Sequence, residues 1–93
     1  MNKLTEEEIG KRLENMTGWE YSEKAIEKTF VFKNFKEAFS MMTRIAFECE
    51  AQNHHPDWSN VYKTLNVRLN THDAGGVTDK DFKLAESIES IVR

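Results

Sequence analysis

The sequence predicts an α+β fold in the order αββαββα, in which a four-stranded antiparallel sheet carries helices on one face. Three segments begin with a capping residue that is followed three positions later by an acid, a pattern typical of helix starts. Between them lie two pairs of short segments rich in aromatic and β-branched residues, as in hairpins. A chain of 93 residues can bury one modest core, so we expect a single domain over residues 1–93.

The three predicted helices start at capping pairs. These pairs are Thr5 with Glu8, Asn34 with Glu37, and Thr78 with Asp81. The middle helix should run from about Phe35 to the neighbourhood of Gln52, because Pro56 forbids much further continuation. Its apolar residues recur at helical spacing and predict one buried stripe. The stripe consists of Phe35, Ala38, Phe39, Met42, Ile45, Ala46 and Cys49.

The extended segments form two predicted hairpins. The first joins a short "WEYSE" to "AIEKTFVF", and the second joins "WSNVY" to "TLNVRLNTH". In the last segment, the apolar residues Leu65, Val67 and Leu69 alternate with polar neighbours, which predicts one buried and one polar face. Continuing that period of two places His72 on the polar side, in register with Asn70.

Charge and composition limit the classes of partner. The 13 basic and 16 acidic residues give a net charge of -3, which offers no general attraction for a phosphate backbone. Apolar runs are far shorter than the roughly 20 residues that span a bilayer. The single Cys49 excludes an internal disulfide and, with no recognisable signal peptide, fits a reducing compartment. We therefore expect a cytoplasmic protein with no direct nucleic-acid partner and no membrane partner.

Two of the three histidines stand side by side in "EAQNHHPDW". Glu50 and His54 are four residues apart, so they share a helix face if the helix continues, and the carboxylate can then hold the imidazole. His55 would point about 100° away, which predicts a different task for it. Pro56 fixes its own φ and restricts the residue before it, so it stiffens the exit from the helix.

The third histidine, His72, precedes the turn "DAGG", and Asp73 and Asp81 lie nearby in sequence. A single histidine near a helix end is often only a capping cation. Three histidines with carboxylates instead favour proton transfer, because an unperturbed imidazole pKa near 6.5 allows both donation and acceptance at neutral pH.

Other kinds of site fit the sequence less well. Histidine and carboxylate are common zinc ligands, but adjacent histidines diverge on a helix and the H-E-x-x-H spacing is absent. Cys49 falls on the apolar stripe, and no serine stands in an elbow motif. We therefore expect acid and base catalysis by imidazoles without a metal or other cofactor.

Several spaced motifs resemble one known family. They are "E-x-x-x-H-H-P" from Glu50, Tyr62 six residues after Pro56, "T-H-D-A-G-G" with His72, and Asp81. The chain resembles the pterin-4a-carbinolamine dehydratase family over most of its length from residue 32 onwards. This resemblance implies the αββαββα fold and the dehydration of 4a-hydroxytetrahydropterin to the quinonoid dihydropterin. That step regenerates the tetrahydrobiopterin used by aromatic amino acid hydroxylases.

The resemblance also implies roles for individual residues. His54 and His72 would be the acid and base, and His55 would chiefly grip the substrate. Glu50 and Asp81 would be the supporting carboxylates, which completes the expected catalytic set. The residues expected to bind or flank the pterin, besides the histidines, are Asn53, Pro56, Thr71 and Asp73.

Other functions remain open at this point. Animal members of the family also act as dimerisation cofactors of a homeodomain transcription factor, so a non-catalytic scaffold is one alternative. A role in another pterin pathway, including molybdopterin-related metabolism, is a second. A homodimer or a dimer of dimers is expected, because sheet edges need covering and because Met41 and Phe47 lie off the apolar stripe.

Overall fold

The computed structural model describes residues 2–93 and contains the helices and strands in the expected order. They are α1 (Glu6–Leu13), β1 (Glu20–Ser22), β2 (Ala25–Val31), α2 (Phe35–Gln52), β3 (Asp57–Val61), β4 (Thr64–Leu69) and α3 (Asp79–Val92), with a 3-10 turn at His72–Ala74. All neighbouring strands are antiparallel, and the sheet order is β1-β2-β4-β3. The predicted αββαββα fold is confirmed.

The three predicted helix starts are also confirmed. Thr5 and Thr78 each form a capping box with the acid three residues later. Asn34 accepts the N–H of Glu37 at 2.9 Å, while the Glu37 carboxylate accepts the N–H of Lys33 at 2.8 Å. None of the helices described within residues 2–93 is long and apolar enough to cross a bilayer.

The sheet has one apolar face and one polar face. Ile26 lies opposite Leu69 and Phe30 lies opposite Leu65 in the β2–β4 register, and these side chains join the core beneath the helices. Leu65, Val67 and Leu69 are fully buried, as their alternation predicted. The opposite face carries Glu27, Thr29, Asn66 and Arg68. Burial of one face alone explains the clean period of two in β4.

The apolar stripe predicted for α2 is only partly buried. Its core residues are Ala38, Ile45 and Cys49. Phe35 and Phe39 are 45% and 55% exposed, and Ala46 is exposed as well. The expected burial of these three residues is therefore wrong: within this chain α2 packs mainly against α3 and β4, which cover only part of its apolar surface. The two phenylalanine rings lie 5.7 Å apart on the uncovered part.

Candidate active site

The C-terminus of α2 turns the chain sharply just before the paired histidines. The helix ends at Gln52, and Asn53 adopts a left-handed conformation with φ 51° and ψ 46°. Asparagine tolerates this conformation at a helix end better than most residues do. The N–H of His54 then bonds to the carbonyl of Cys49 at 3.0 Å. The helix therefore does not continue to His54, and the expected pairing of Glu50 with His54 is wrong.

Glu50 instead pairs with the second histidine. The Nε2 atom of His55 lies 2.6 Å from Oε2 of Glu50. Both side chains are largely exposed, at 57% and 77% respectively. The left-handed residue produces this exchange, because it rotates the chain so that His55 comes back over the last turn of α2 while His54 turns inward.

His54 is buried against the first turn of α3. Its Nε2 atom lies 2.5 Å from Oδ1 of Asp81, and the Asp81 side chain is completely buried. Asp81 occupies the third position of α3, where its carboxylate closes the capping box with Thr78. The residues that start the helix thus also place a carboxylate against an imidazole, as a positioned acid–base group requires.

The second carboxylate oxygen of Asp81 also accepts hydrogen bonds. Oδ2 accepts the N–H of Thr78 at 2.9 Å and the hydroxyl of Thr71 at 2.9 Å. The two threonine hydroxyls lie 2.8 Å from each other. Thr71 is therefore held against the start of α3, and Thr78 belongs to the same cluster. From the sequence, Thr78 was predicted only as a helix cap, although its capping box with Asp81 is the signal that places it in this cluster.

His72 and Asp73 lie on the 3-10 turn that follows Thr71, and both are exposed. β4 ends at Leu69, so the expectation that His72 continues the polar strand face in register with Asn70 is wrong. A bridge between Thr71 and Gly76 draws the chain into a turn, with a 2.8 Å bond from the N–H of Thr71 to the carbonyl of Gly76. The turn closes at Gly75, whose φ of 74° favours glycine.

The predicted site residues thus reach the site in two groups. Hydrogen bonds join His54, Asp81 and Thr71 directly, and His72 and Asp73 follow Thr71 in the chain. Glu50 and His55 form a separate exposed pair, joined to His54 through the backbone. Asn53 is exposed and Pro56 is half-buried, at either end of the two histidines. Within residues 2–93 no hydrogen bond joins the ring of His72 to another side chain.

Nucleophilic chemistry at Cys49 is disfavoured by its surroundings. Its side chain belongs to the core, and burial raises the pKa of the thiol to about 11, with smaller contributions from Glu48 and Glu50. A thiol that stays protonated at neutral pH is a poor nucleophile. In the part of the chain described, no three His, Cys, Asp or Glu side chains cluster as metal ligands would.

Curated bacterial proteins resemble the chain over nearly its whole length. A protein of Christiangramia forsetii is 62% identical over 92 residues, which cover 99% of this chain and 95% of the relative. A protein of Opitutus terrae is 53% identical over 89 residues, which cover 95% of this chain and 92% of the relative. Both are provisionally named pterin-4-alpha-carbinolamine dehydratase.

Solved structures share the fold. A transcriptional coactivator/pterin dehydratase from Brucella melitensis superposes with a TM-score of 0.96 at 38% identity, covering 99% of this chain and all of that one. A pterin dehydratase-like RuBisCO assembly factor of the alpha-carboxysome superposes with a TM-score of 0.70 at 14% identity, over 83% of this chain and 92% of that one. At that identity the second likeness concerns the fold alone.

The model of the family described as pterin 4 alpha carbinolamine dehydratase matches residues 2–91. Together with relatives that are more than half identical over almost the whole chain, this match shows the family. The chain therefore belongs to the pterin 4 alpha carbinolamine dehydratase family of hydro-lyases.

Proposed function

We propose that this protein dehydrates a 4a-hydroxytetrahydropterin to the quinonoid dihydropterin and water by general acid and base catalysis. The observation that carries the proposal is the buried pair of His54 and Asp81, with His72 on the exposed turn that follows Thr71, the second side chain bonded to Asp81. A buried imidazole held by a carboxylate suits proton transfer. His72 directly follows Thr71, whose hydroxyl contacts Asp81, so its exposed imidazole can meet a substrate from solvent.

The reaction needs only two proton transfers. The bond between the ring carbon and its hydroxyl breaks, and the hydroxyl takes up one proton and leaves as water. The neighbouring ring nitrogen forms a double bond to that carbon and releases its own proton. Protons and electrons balance, so one acid and one base suffice. Positioned side chains typically contribute about 10² to 10⁴ in rate to such transfers.

We assign the two transfers to His54 and His72. The carboxylate of Asp81 holds the ring of His54 and stabilises it when it carries a positive charge. His55 and Glu50 form an exposed pair that suits contact with the flat pterin more than proton transfer. The residues proposed to flank the substrate are Asn53, Pro56, Thr71 and Asp73.

We further propose a cytoplasmic role in regenerating tetrahydrobiopterin, without a metal or other cofactor, and that residues 1–93 act as one domain. Family membership supports the pterin substrate. A lone buried cysteine fits a reducing compartment. Comparing pterins with different side chains in one assay separates this pathway from a molybdopterin-related one, because each pathway supplies a different side chain.

The direct test follows a 4a-hydroxytetrahydropterin generated in the cuvette by a pterin-dependent hydroxylase. The protein should speed formation of the quinonoid product well above the uncatalysed rate. Replacing both His54 and His72 with Ala should lower kcat by about 10² or more, since both proton transfers lose their side chain. Circular dichroism of the variant checks that the fold is kept. A native-like kcat in the double variant would contradict the assignment.

A second candidate function is that of a non-catalytic scaffold that acts as a dimerisation cofactor of a transcription factor. The Brucella melitensis structure is described as a transcriptional coactivator as well as a pterin dehydratase. In this chain, α2 exposes Phe39 and Phe47, and an uncovered apolar surface of this kind is typical of an interaction site. This function is favoured if the wild-type protein leaves the dehydration rate unchanged and replacing both phenylalanines with Glu abolishes binding of a homeodomain transcription factor.

A further inference from the structure

A chain of hydroxyl groups leads from the start of α3 to the buried carboxylate. The hydroxyl of Thr71 lies 2.9 Å from Oδ2 of Asp81 and donates its single proton there. In the 2.8 Å contact between the two threonine hydroxyls, Thr78 must then be the donor. The oxygen of Thr78 accepts the N–H of Lys80 at 3.2 Å. Both hydroxyls therefore donate in the direction of Asp81, Thr78 to Thr71 and Thr71 to the carboxylate.

Asp81 is an acceptor in all of its contacts. Its Oδ2 atom accepts the Thr78 N–H and the Thr71 hydroxyl, so two donors already point at one carboxylate oxygen. Asp81 also stands in the first turn of α3, where the helix dipole favours a negative charge. An ionised carboxylate has no proton to give. In the 2.5 Å contact with His54, the donor is therefore the N–H at Nε2.

We propose that Thr78 is a positioning residue for the reaction, acting through Thr71 and Asp81 to keep His54 in the tautomer that carries its proton on Nε2. The Nδ1 atom of His54 is then the nitrogen that exchanges a proton with the substrate. This inference deepens the proposed function and rests on it. Thr78 is fully buried and acts on the reaction only through the carboxylate.

Removing the hydroxyl of Thr78 leaves Thr71 without its donor, so the Thr71 hydroxyl no longer has a single orientation. The carboxylate of Asp81 then loses part of what fixes its plane, and His54 samples its other tautomer and other ring positions. Thr78 itself is buried and is not among the residues proposed to contact the substrate. The expected loss is therefore in kcat and not in KM, and its size is that of about one hydrogen bond, roughly 2- to 13-fold.

The experiment compares Thr78→Val with Thr78→Ser, which keeps the hydroxyl, and with Asn34→Ala. Asn34 caps α2 as Thr78 caps α3, but it stands at the opposite end of α2 from the histidines, so its loss removes a cap without touching the site. Steady-state kinetics give kcat and KM. Nitrogen-15 spectra of the imidazole of His54 report which ring nitrogen carries the proton.

Thr78→Val should lower kcat and mix the two His54 tautomers, while Thr78→Ser and Asn34→Ala should keep both at the wild-type values. If Thr78→Val does not fold, Thr71→Val breaks the same chain one hydroxyl later and leaves the α3 cap in place. Wild-type kcat and spectra in the Val variants, or an equal loss of kcat in Asn34→Ala, overturn the proposal. A wild-type protein without dehydratase activity refutes the proposed function, whereas the spectra still test the tautomer.

Discussion

Replacing Asp81 with Asn turns one hydrogen-bond acceptor at the centre of the candidate site into a hydrogen-bond donor. The amide oxygen can take the place of Oδ2 and still accept from Thr71 and from the N–H of Thr78, since a carbonyl oxygen has two lone pairs. The amide nitrogen then faces Nε2 of His54, 2.5 Å away in the wild-type protein. Two donors cannot share that contact. His54 must accept there, and its proton moves to Nδ1.

The structure allows an estimate of the stability cost. The variant exchanges a charge-assisted hydrogen bond, worth about 1.5–3 kcal/mol, for a neutral one worth about 0.5–1.5 kcal/mol. It also loses a negative charge in the first turn of α3, worth about 0.3–1 kcal/mol. The free energy of unfolding should therefore fall by about 2 kcal/mol. For a domain of this size that corresponds to a decrease in Tm of roughly 8–16 °C.

Activity should suffer more than stability. With the proton on Nδ1, His54 no longer has a free nitrogen towards the substrate, and we expect kcat to fall by about 10² or more at neutral pH. The assay is steady-state dehydration, measured well below the Tm of the variant. Asp79→Asn is the matched control: Asp79 is also an acid of the first turn of α3, its side chain is 73% exposed, and it pairs with Arg12 and not with a histidine.

Two results would refute this reasoning. One is an Asp81→Asn variant with wild-type kcat, which would mean that the tautomer of His54 is irrelevant to the reaction. The other is an Asp79→Asn variant that loses as much activity as Asp81→Asn, which would mean that the charge of the helix turn matters and the contact with His54 does not.

Four further predictions concern chemistry, assembly and pH. His55→Ala should raise KM more than it lowers kcat, and His54→Ala and His72→Ala should do the reverse; steady-state kinetics of the three variants distinguish binding from proton transfer. Wild-type activity should persist in excess EDTA, and a loss restored by zinc would contradict the metal-free mechanism. Light scattering should show a dimer or a dimer of dimers, because phenylalanines of α2 and a sheet edge are uncovered, and a particle of only 10.9 kDa would contradict it. The pKa of Cys49 rises from 9.0 to about 11 on folding, so the unfolded chain ionises first and stability should fall as pH rises through that window; denaturation midpoints of Cys49→Ala should fall less steeply.

The sequence predicted the elements that depend on local chemistry. Thr5, Asn34 and Thr78 each start a helix because their side-chain oxygens accept backbone N–H groups that the helix leaves without partners. The buried face of β4 followed from its alternation, because only one side of this sheet is covered. These features involve neighbours within a few residues, so their pattern is visible in one sequence.

Features that depend on one backbone angle or on distant packing were missed. Because Asn53 has a left-handed φ, Glu50 pairs with His55 and not with His54. Helical spacing in the sequence cannot predict this change of partner. The burial of Phe35 and Phe39 depends on how much of α2 its neighbours cover, which periodicity does not specify. Residue types alone marked the three histidines as candidates, whereas the partners of His54 and His55 came only from the tertiary structure.

Asp81 both caps the start of α3 and contacts His54, so the geometry of the candidate site depends on whether the first turn of that helix stays closed. Helix termini open far more often than helix centres, with free energies that range down to about zero. Here each opening of the first turn of α3 would release Thr78 from the carboxylate and the carboxylate from His54 together. The contact between Asp81 and His54 would then be lost and regained while the sheet stays intact. The amide hydrogen exchange rate of Thr78 therefore reports how readily this first turn opens.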